Sequence, residues 1–404
     1  MIKQFEDHTF SGNGESGNIL QSKLHRKRKR KFFFTKPNQS PVIIYDATGA
    51  EFVEEVITEE ISFRILKVRD TINLHFSILF RVAWLFVFRI FKKNIYWRLA
   101  SSGVIYDYAT LMIIKPKVVL TFIDNSHRFG ILSRIYPKAR FFAIQNGFRG
   151  PRVQDFPRII YVTNLFCHGQ ETIDKYREAG HKVDRYIISG SLKDGLYRAQ
   201  HRVNREKRFN LCFISEYRYE RFSTSMPGAA HNAKIVLSYI QQYCRDHTVT
   251  ICVACSSKDS VVGGQNEASL EKCFIRKNIK IENLELIPND GRFSTYAAID
   301  QSDLSINLQS TVGLEALGRG QKILFCNVTG DPYYDIPGPG RTGIWALRAG
   351  ATSYESFEER VTTILRLSDE KWREATESVA RYFVSADKKI LPQQKILDEI
   401  VKYV

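Results

Sequence analysis

The segment Ser310-Thr-Val-Gly-Leu-Glu-Ala-Leu-Gly-Arg-Gly-Gln-Lys-Ile-Leu-Phe325 gathers groups suited to a phosphorylated ligand. It reads as a loop, a short helix and a buried strand. Ser310 and Thr311 fall at the helix N-terminus, where free backbone N–H groups and the helix dipole favour an anion. Gly313 would let a ligand approach the backbone, and Glu315 offers acceptor oxygens to a ribose diol. The ordinary alternative is a capped helix packed on a sheet and ended by Gly318 and Gly320. A capping box puts its acid three residues after the cap. Glu315 stands five after Ser310 and four after Thr311, so capping alone does not account for it.

Other candidates follow apolar runs. Ser215, Glu216 and Arg218 come after Asn210 to Ile214, a position for diphosphate contacts, and a guanidinium binds phosphate bidentately. Lys258 follows Val249 to Ala254 and would act as a point charge. Asp124, Asn125 and His127 follow Val118 to Phe122. Transfer to a hydroxyl needs a base to take its proton, and Asp124 or His127 is the right kind of group. Asp124 reads equally as a helix N-cap, and His127 as a surface residue. Gln145, Asn146 and Gly147 suit sugar hydroxyls, or form a strand-end turn. There is no D-x-D at a strand end, no P-loop and no G-x-S-x-G elbow. Neither a metal nor a cofactor is expected. The charge on a leaving phosphate then falls to the helix terminus, Arg218 and Lys258.

These residues need a scaffold that brings strand ends together. Apolar runs at 42–46, 118–122, 141–145, 159–163 and 186–189 alternate with helical stretches. The rhythm restarts at 210–214, 249–254, 284–287, 304–307 and 322–326. Such alternation predicts parallel sheets covered by helices. We therefore expect an α/β chain of two Rossmann-like, doubly wound domains facing a cleft, with ligands outside the carboxyl ends of the strands. The expected boundaries are a poorly ordered basic tail over 1–38, an N-terminal domain over 39–190 and a linker over 191–208. A nucleotide-binding domain over 209–385 and a C-terminal helix over 386–404 follow.

The 404 residues suit two domains, and 59 basic against 43 acidic residues give +16. The stretch Lys23 to Lys36 holds eight Lys or Arg and no acid, fitting an anionic surface or a solvated tail. The seven cysteines are odd in number and irregularly spaced, as in a reduced protein. Cys252 and Cys255 form a C-x-x-C on a strand, where residues three apart face opposite sides, so zinc is discounted. No apolar leader is visible at the N-terminus. An apolar helix is expected over 72–98. Its core, 72–91, has three readings: a half-buried domain helix, a helix lying on a membrane, or a span burdened by Arg81.

The pattern S-T-x-G-x-E-A-L-x-x-G from Ser310 resembles the nucleotide-binding segment in the second domain of two-Rossmann (GT-B) glycosyltransferases. It is close to the form in capsule-polysaccharide transferases and CDP-glycerol-type glycerophosphotransferases. Lys115 to Asn125, Phe142 to Gly147, Ile188 to Ser191 and Phe213 to Arg218 look like a family of surface carbohydrate biosynthesis proteins. The likeness spans roughly residues 42–400. Relatives carry a His-Pro pair after the second strand of the second domain, where this chain reads Ala254-Cys-Ser-Ser-Lys258. The resemblance implies a metal-independent transferase moving a sugar or related unit from a CMP-, CDP- or UDP-linked donor to a glycan or lipid-linked acceptor. It would work in the cytoplasm at the inner face of an anionic membrane, without nucleic acid. A nucleotide-sugar 2-epimerase and a non-catalytic membrane- or nucleic-acid-binding protein are the alternatives.

Overall fold

The computed structural model describes residues 31–57, 60–149, 158–201, 206–219, 222, 227–262, 264–330, 343–348, 353–387 and 389–404. Two six-stranded parallel sheets organise it. The first runs, edge to edge, Phe63–Leu66, Val42–Tyr45, Val118–Thr121, Arg140–Ile144, Tyr161–Cys167 and Lys182–Ile188. The second runs Glu285–Ile287, Ile251–Ala254, Phe209–Ile214, Ser302–Asn307, Ile323–Asn327 and Ala346–Arg348. In chain order these are 2-1-3-4-5-6 and 3-2-1-4-5-6. Each order reverses beside its first strand, opening a crevice at the strands' carboxyl ends.

Central strands such as Val42–Tyr45 and Ile251–Ala254 are buried along their whole length. That is why they read as unbroken apolar runs instead of alternating ones. Helices start where a short polar side chain accepts an otherwise orphaned backbone N–H: Ser126, Ser191, Asn266, Ser353 and Ser368 each do so. The chain then doubles back. The helix Pro392–Ile400 buries Ile396 and Ile400 in the same cluster as Val42, Ile44 and Val118 of the first sheet.

Several boundaries differ from expectation. The stretch 191–208 begins with a helix, Leu192–Gln200, whose Leu192 and Leu196 are buried in the first domain. Within the 1–38 tail, Lys31–Phe33 form a strand paired in parallel with Thr71–Asn73, and residues 1–30 lie outside the described residues. The apolar helix over 72–98 is instead a strand, the helix Phe76–Phe88, a 3-10 turn Arg89–Phe91 and the helix Ile95–Leu99. Its breaks are chemical. The Asn73 side chain accepts the backbone N–H of His75, His75 caps the first helix, and Asn94 caps the next. Among the described residues no helix is long and apolar enough to cross a membrane.

Candidate functional site

Both crevices open into one cavity of about 810 Å³ between the domains. The N-terminal domain lines it with the loop after Val42–Tyr45 (Thr48, Gly49), with Glu51 and Phe52, and with Phe122 and Asn146 beyond two further strands. The C-terminal domain supplies Ser215 and Arg218 after its first strand, and Ser310, Thr311 and Glu315 after Ser302–Asn307. Lys258, Asp290 and Arg292 come from the loops after its second and third strands.

Apart from Gly313, the donor candidates share one wall, but their roles differ from residue to residue. Ser310 is the N-cap of the helix Thr311–Gly318, and its hydroxyl makes no capping bond. The Thr311 hydroxyl accepts the Phe148 backbone N–H at 2.8 Å, tying this terminus to the N-terminal domain. Gly313 is absent from the cavity wall, and its open side faces Asn307. A Cβ there would sit 2.3 Å from Asn307 Nδ2, so the glycine makes room for the side chain that pins Ser310. Ser215 is buried and donates to Glu271. Arg218 is exposed, with one guanidinium nitrogen donating to the carbonyls of Tyr217 and Ser256. Lys258 is exposed at the cavity.

Glu315 is buried, and its two oxygens accept the hydroxyls of Ser191 and Tyr296. Burial, with Asp194 nearby, pushes its carboxyl up to about 6 against the pull of those hydroxyls. Each oxygen keeps a second lone pair, so Glu315 can accept further bonds from the cavity side.

The expected base at Asp124 is corrected. Asp124 is buried in a bidentate pair with Arg149, and Tyr176 donates to it at 2.7 Å. Burial alone would raise its carboxyl, but Arg149 and Tyr176 outweigh that and hold it below the usual carboxylate range. A carboxylate so held is a poor proton acceptor, and Asp124 instead fixes Arg149, which also donates to Asn146 Oδ1 at 2.7 Å. Nor does Asp124 cap the following helix, since Ser126 does. His127 is absent from the cavity wall, and its Nδ1 lies 3.1 Å from the Ile159 carbonyl. Asn125 is exposed and absent from the cavity wall. Gln145 is buried and structural, accepting from the His168 N–H and the Thr172 hydroxyl and donating to the Gly147 carbonyl. Gly147 packs against Thr311, where a Cβ would lie 3.3 Å from its hydroxyl oxygen. Of the acceptor candidates, Asn146 reaches the cavity.

Two cations escaped the sequence reading. Lys193, one residue into the helix after Ser191, lines the cavity with its ammonium 5.1 Å above the Phe52 ring and 5.5 Å above Phe122. Burial draws its pKa below that of a free lysine, opposed by Glu315 and Glu51. Arg292 stacks 4.2 Å over Phe52 and pairs with Glu55 across the cleft. The signal for Lys193 was its place two residues after the Ile188-Ser-Gly-Ser191 segment; Arg292 had none. Among the described residues no cluster of His, Cys, Asp or Glu could hold a metal, and Cys252 and Cys255 are buried.

Residues 142–397, more than half of the chain, match the family described as "putative O-antigen biosynthesis protein". The chain belongs to that family. Comparison with curated proteins finds no match. Among solved structures, a "putative UDP-N-acetylglucosamine 2-epimerase" from Listeria monocytogenes superposes with TM-score 0.53 at 13% identity, covering 90% of this chain and 96% of that one. Staphylococcus aureus MnaA with UDP gives 0.50 at 12%, covering 90% and 95%. The wall teichoic acid polymerase TagF gives 0.49 at 11%, covering 90% and 89%. At these identities the first two establish the fold: this O-antigen family protein has the two-Rossmann, GT-B-like architecture.

Proposed function

We propose that this O-antigen family protein is a glycosyltransferase that takes a sugar or related unit from a nucleotide-activated donor to a glycan or lipid-linked acceptor, at the inner face of the cell membrane. One observation carries the reading. The helix N-terminus at Ser310 and the cations Arg218, Lys258 and Lys193 converge on one cavity formed by the switch points of both sheets. That is where a donor diphosphate would be held and its charge met as it leaves. Glu315 takes the ribose with its remaining lone pairs. Asn146 serves the sugar side. Glu51 takes the acceptor proton, being the carboxylate that the N-terminal domain contributes to the described cavity wall.

Arg218 and Lys258 are exposed, so Arg218→Ala and Lys258→Ala should leave the melting temperature unchanged. Charge-assisted bonds contribute about 1.5–3 kcal/mol each. Each substitution should therefore weaken CDP or UDP binding about 10-fold or more by calorimetry. If neither nucleotide binds the wild type at millimolar concentration, the transferase reading is abandoned.

The acids Glu51 and Asp290 in the same cavity, with the fold shared with UDP-linked 2-epimerases, favour one second reading, a nucleotide-sugar epimerase. Incubation with UDP-N-acetylhexosamines and no acceptor separates the two. Interconversion of the sugar epimers would establish the epimerase, and an unchanged nucleotide sugar supports transfer.

A further inference from the structure

We propose that the N-terminal domain carries a docking face for an acidic lipid bilayer, built from residues 32–34, the helix Phe76–Phe88 and the turn and helix that follow it. The helix is apolar except for Ser77 and Arg81. Ile78 and Leu85 are buried in the core and Val82 packs on it. A second stripe stays in solvent. Phe76 is 76% exposed, Phe80 72% and Phe91 74%, with Trp84 and Val87 between them. Spacings of four, four and three put Phe76, Phe80, Trp84 and Val87 on one helical face, and Phe91 is exposed in the turn that follows. Ile95 and Leu99 extend the exposed surface, and Phe32, Phe33 and Phe34 stand exposed beside the helix start, where the Phe33 carbonyl accepts the Leu74 N–H at 2.6 Å. A contiguous apolar surface of this kind marks an interaction site.

Charge decides what covers it. Between Asp70 and Asp107 there is no acidic residue, while Arg81, Arg89, Lys92, Lys93 and Arg98 interrupt the apolar positions. A second copy seated by two-fold symmetry would set these cations against their equals with no acid to answer them. An anionic headgroup layer answers them all, and long cationic side chains keep their heads there while their stems lie on apolar surface. Arg89 and Lys92 already lie over the rings of Phe86 and Phe88, at 5.7 and 5.9 Å. A helix of 13 residues cannot span a bilayer and would lie in its plane. Of the basic run, Lys31 and Lys36 stand exposed beside this same face, residues 31–33 being strand-paired to Thr71–Asn73 just before the helix. Apolar insertion and a basic cluster are the two signals stable attachment needs. The inference deepens the membrane placement in the proposed function, but its test does not depend on the transfer chemistry.

Flotation of the full chain tests it, using vesicles of phosphatidylcholine alone and of phosphatidylcholine with phosphatidylglycerol in equal parts. The wild type should float with the acidic vesicles and stay behind with the neutral ones. Phe80→Asp with Phe91→Asp, and separately Lys92→Gln with Lys93→Gln, should each lower acidic-vesicle binding about 10-fold or more. All four positions are exposed, so melting temperatures should hold. Equal binding to neutral vesicles, or unchanged binding in either double variant, overturns the proposal. So does a dimer by light scattering that Phe80→Asp splits, since a second copy would then cover the face.

Discussion

The carboxyls of this protein divide by what surrounds them, and that division bears on both site and stability. Asp124 meets a guanidinium and is kept ionised. Glu171 is buried with Oε1 unpartnered among the described residues, and burial pushes it up to about 8 against the pull of Lys175. A folded carboxyl raised above its unfolded value of 4.5 binds protons more tightly in the native state. Its contribution is complete below about 4.5 and is lost as pH rises through about 8. Wild-type stability should therefore decline across that window by up to about 1.4 kcal/mol per pH unit from this group. Glu171→Gln should flatten the decline. Urea unfolding of both proteins at several pH values checks this, and identical slopes would sink it. The residue scale was also where the sequence was least legible. Asp124 and Arg149 are 25 positions apart, and only adjacency of their strands makes them a pair. Read alone, Asp124 was a candidate base or a helix N-cap after a strand; in the fold it pairs with Arg149, which in turn bonds Asn146.

At the scale of elements, legibility followed burial. All ten strands read from the sequence exist; eight are interior to their sheets, and the edge strands Lys182–Ile188 and Glu285–Ile287 were legible from short apolar runs at their ends. Phe63–Leu66 and Ala346–Arg348 were missed because they are short edge strands, partly exposed, without a full apolar run. The helix Thr311–Gly318 was legible, with its N-terminus at the cavity, but the surroundings of its glycine were not. Gly313 faces Asn307, whose side-chain amide holds the N–H and carbonyl of Ser310. Gly313→Ala is therefore expected to push that amide aside, with an overpacking cost of about 1–3 kcal/mol. It should also loosen the helix entry and weaken nucleotide binding. A ligand-facing glycine would instead lower affinity with no change in melting temperature, so calorimetry and thermal unfolding of this one variant distinguish the two.

At the scale of the whole molecule the question is what holds the two domains across the cleft. Arg292 with Glu55 spans it at the surface, with both side chains about one-third exposed. Such pairs contribute about 0–1 kcal/mol. Arg319, 4% exposed, instead joins Asp194 of the connecting helix to Asp300 of the second domain, at 2.6 and 3.0 Å. Tyr197 adds a hydroxyl bond to Asp300 at 2.8 Å, and the connecting helix is itself packed into the core of the first domain. Removing one partner of a buried pair leaves uncompensated charge and costs about 3–5 kcal/mol. Arg319→Met should thus lower unfolding free energy by that amount and broaden the range of domain separations seen by small-angle scattering. Arg292→Ala should cost about 1 kcal/mol or less and leave the scattering profile nearly unchanged, even though Arg292 sits closer to the cavity. Should Arg292→Ala open the molecule and Arg319→Met leave it closed, the domains would be latched from the cleft mouth and not from the buried connection, and the connecting helix would be a passive linker after all.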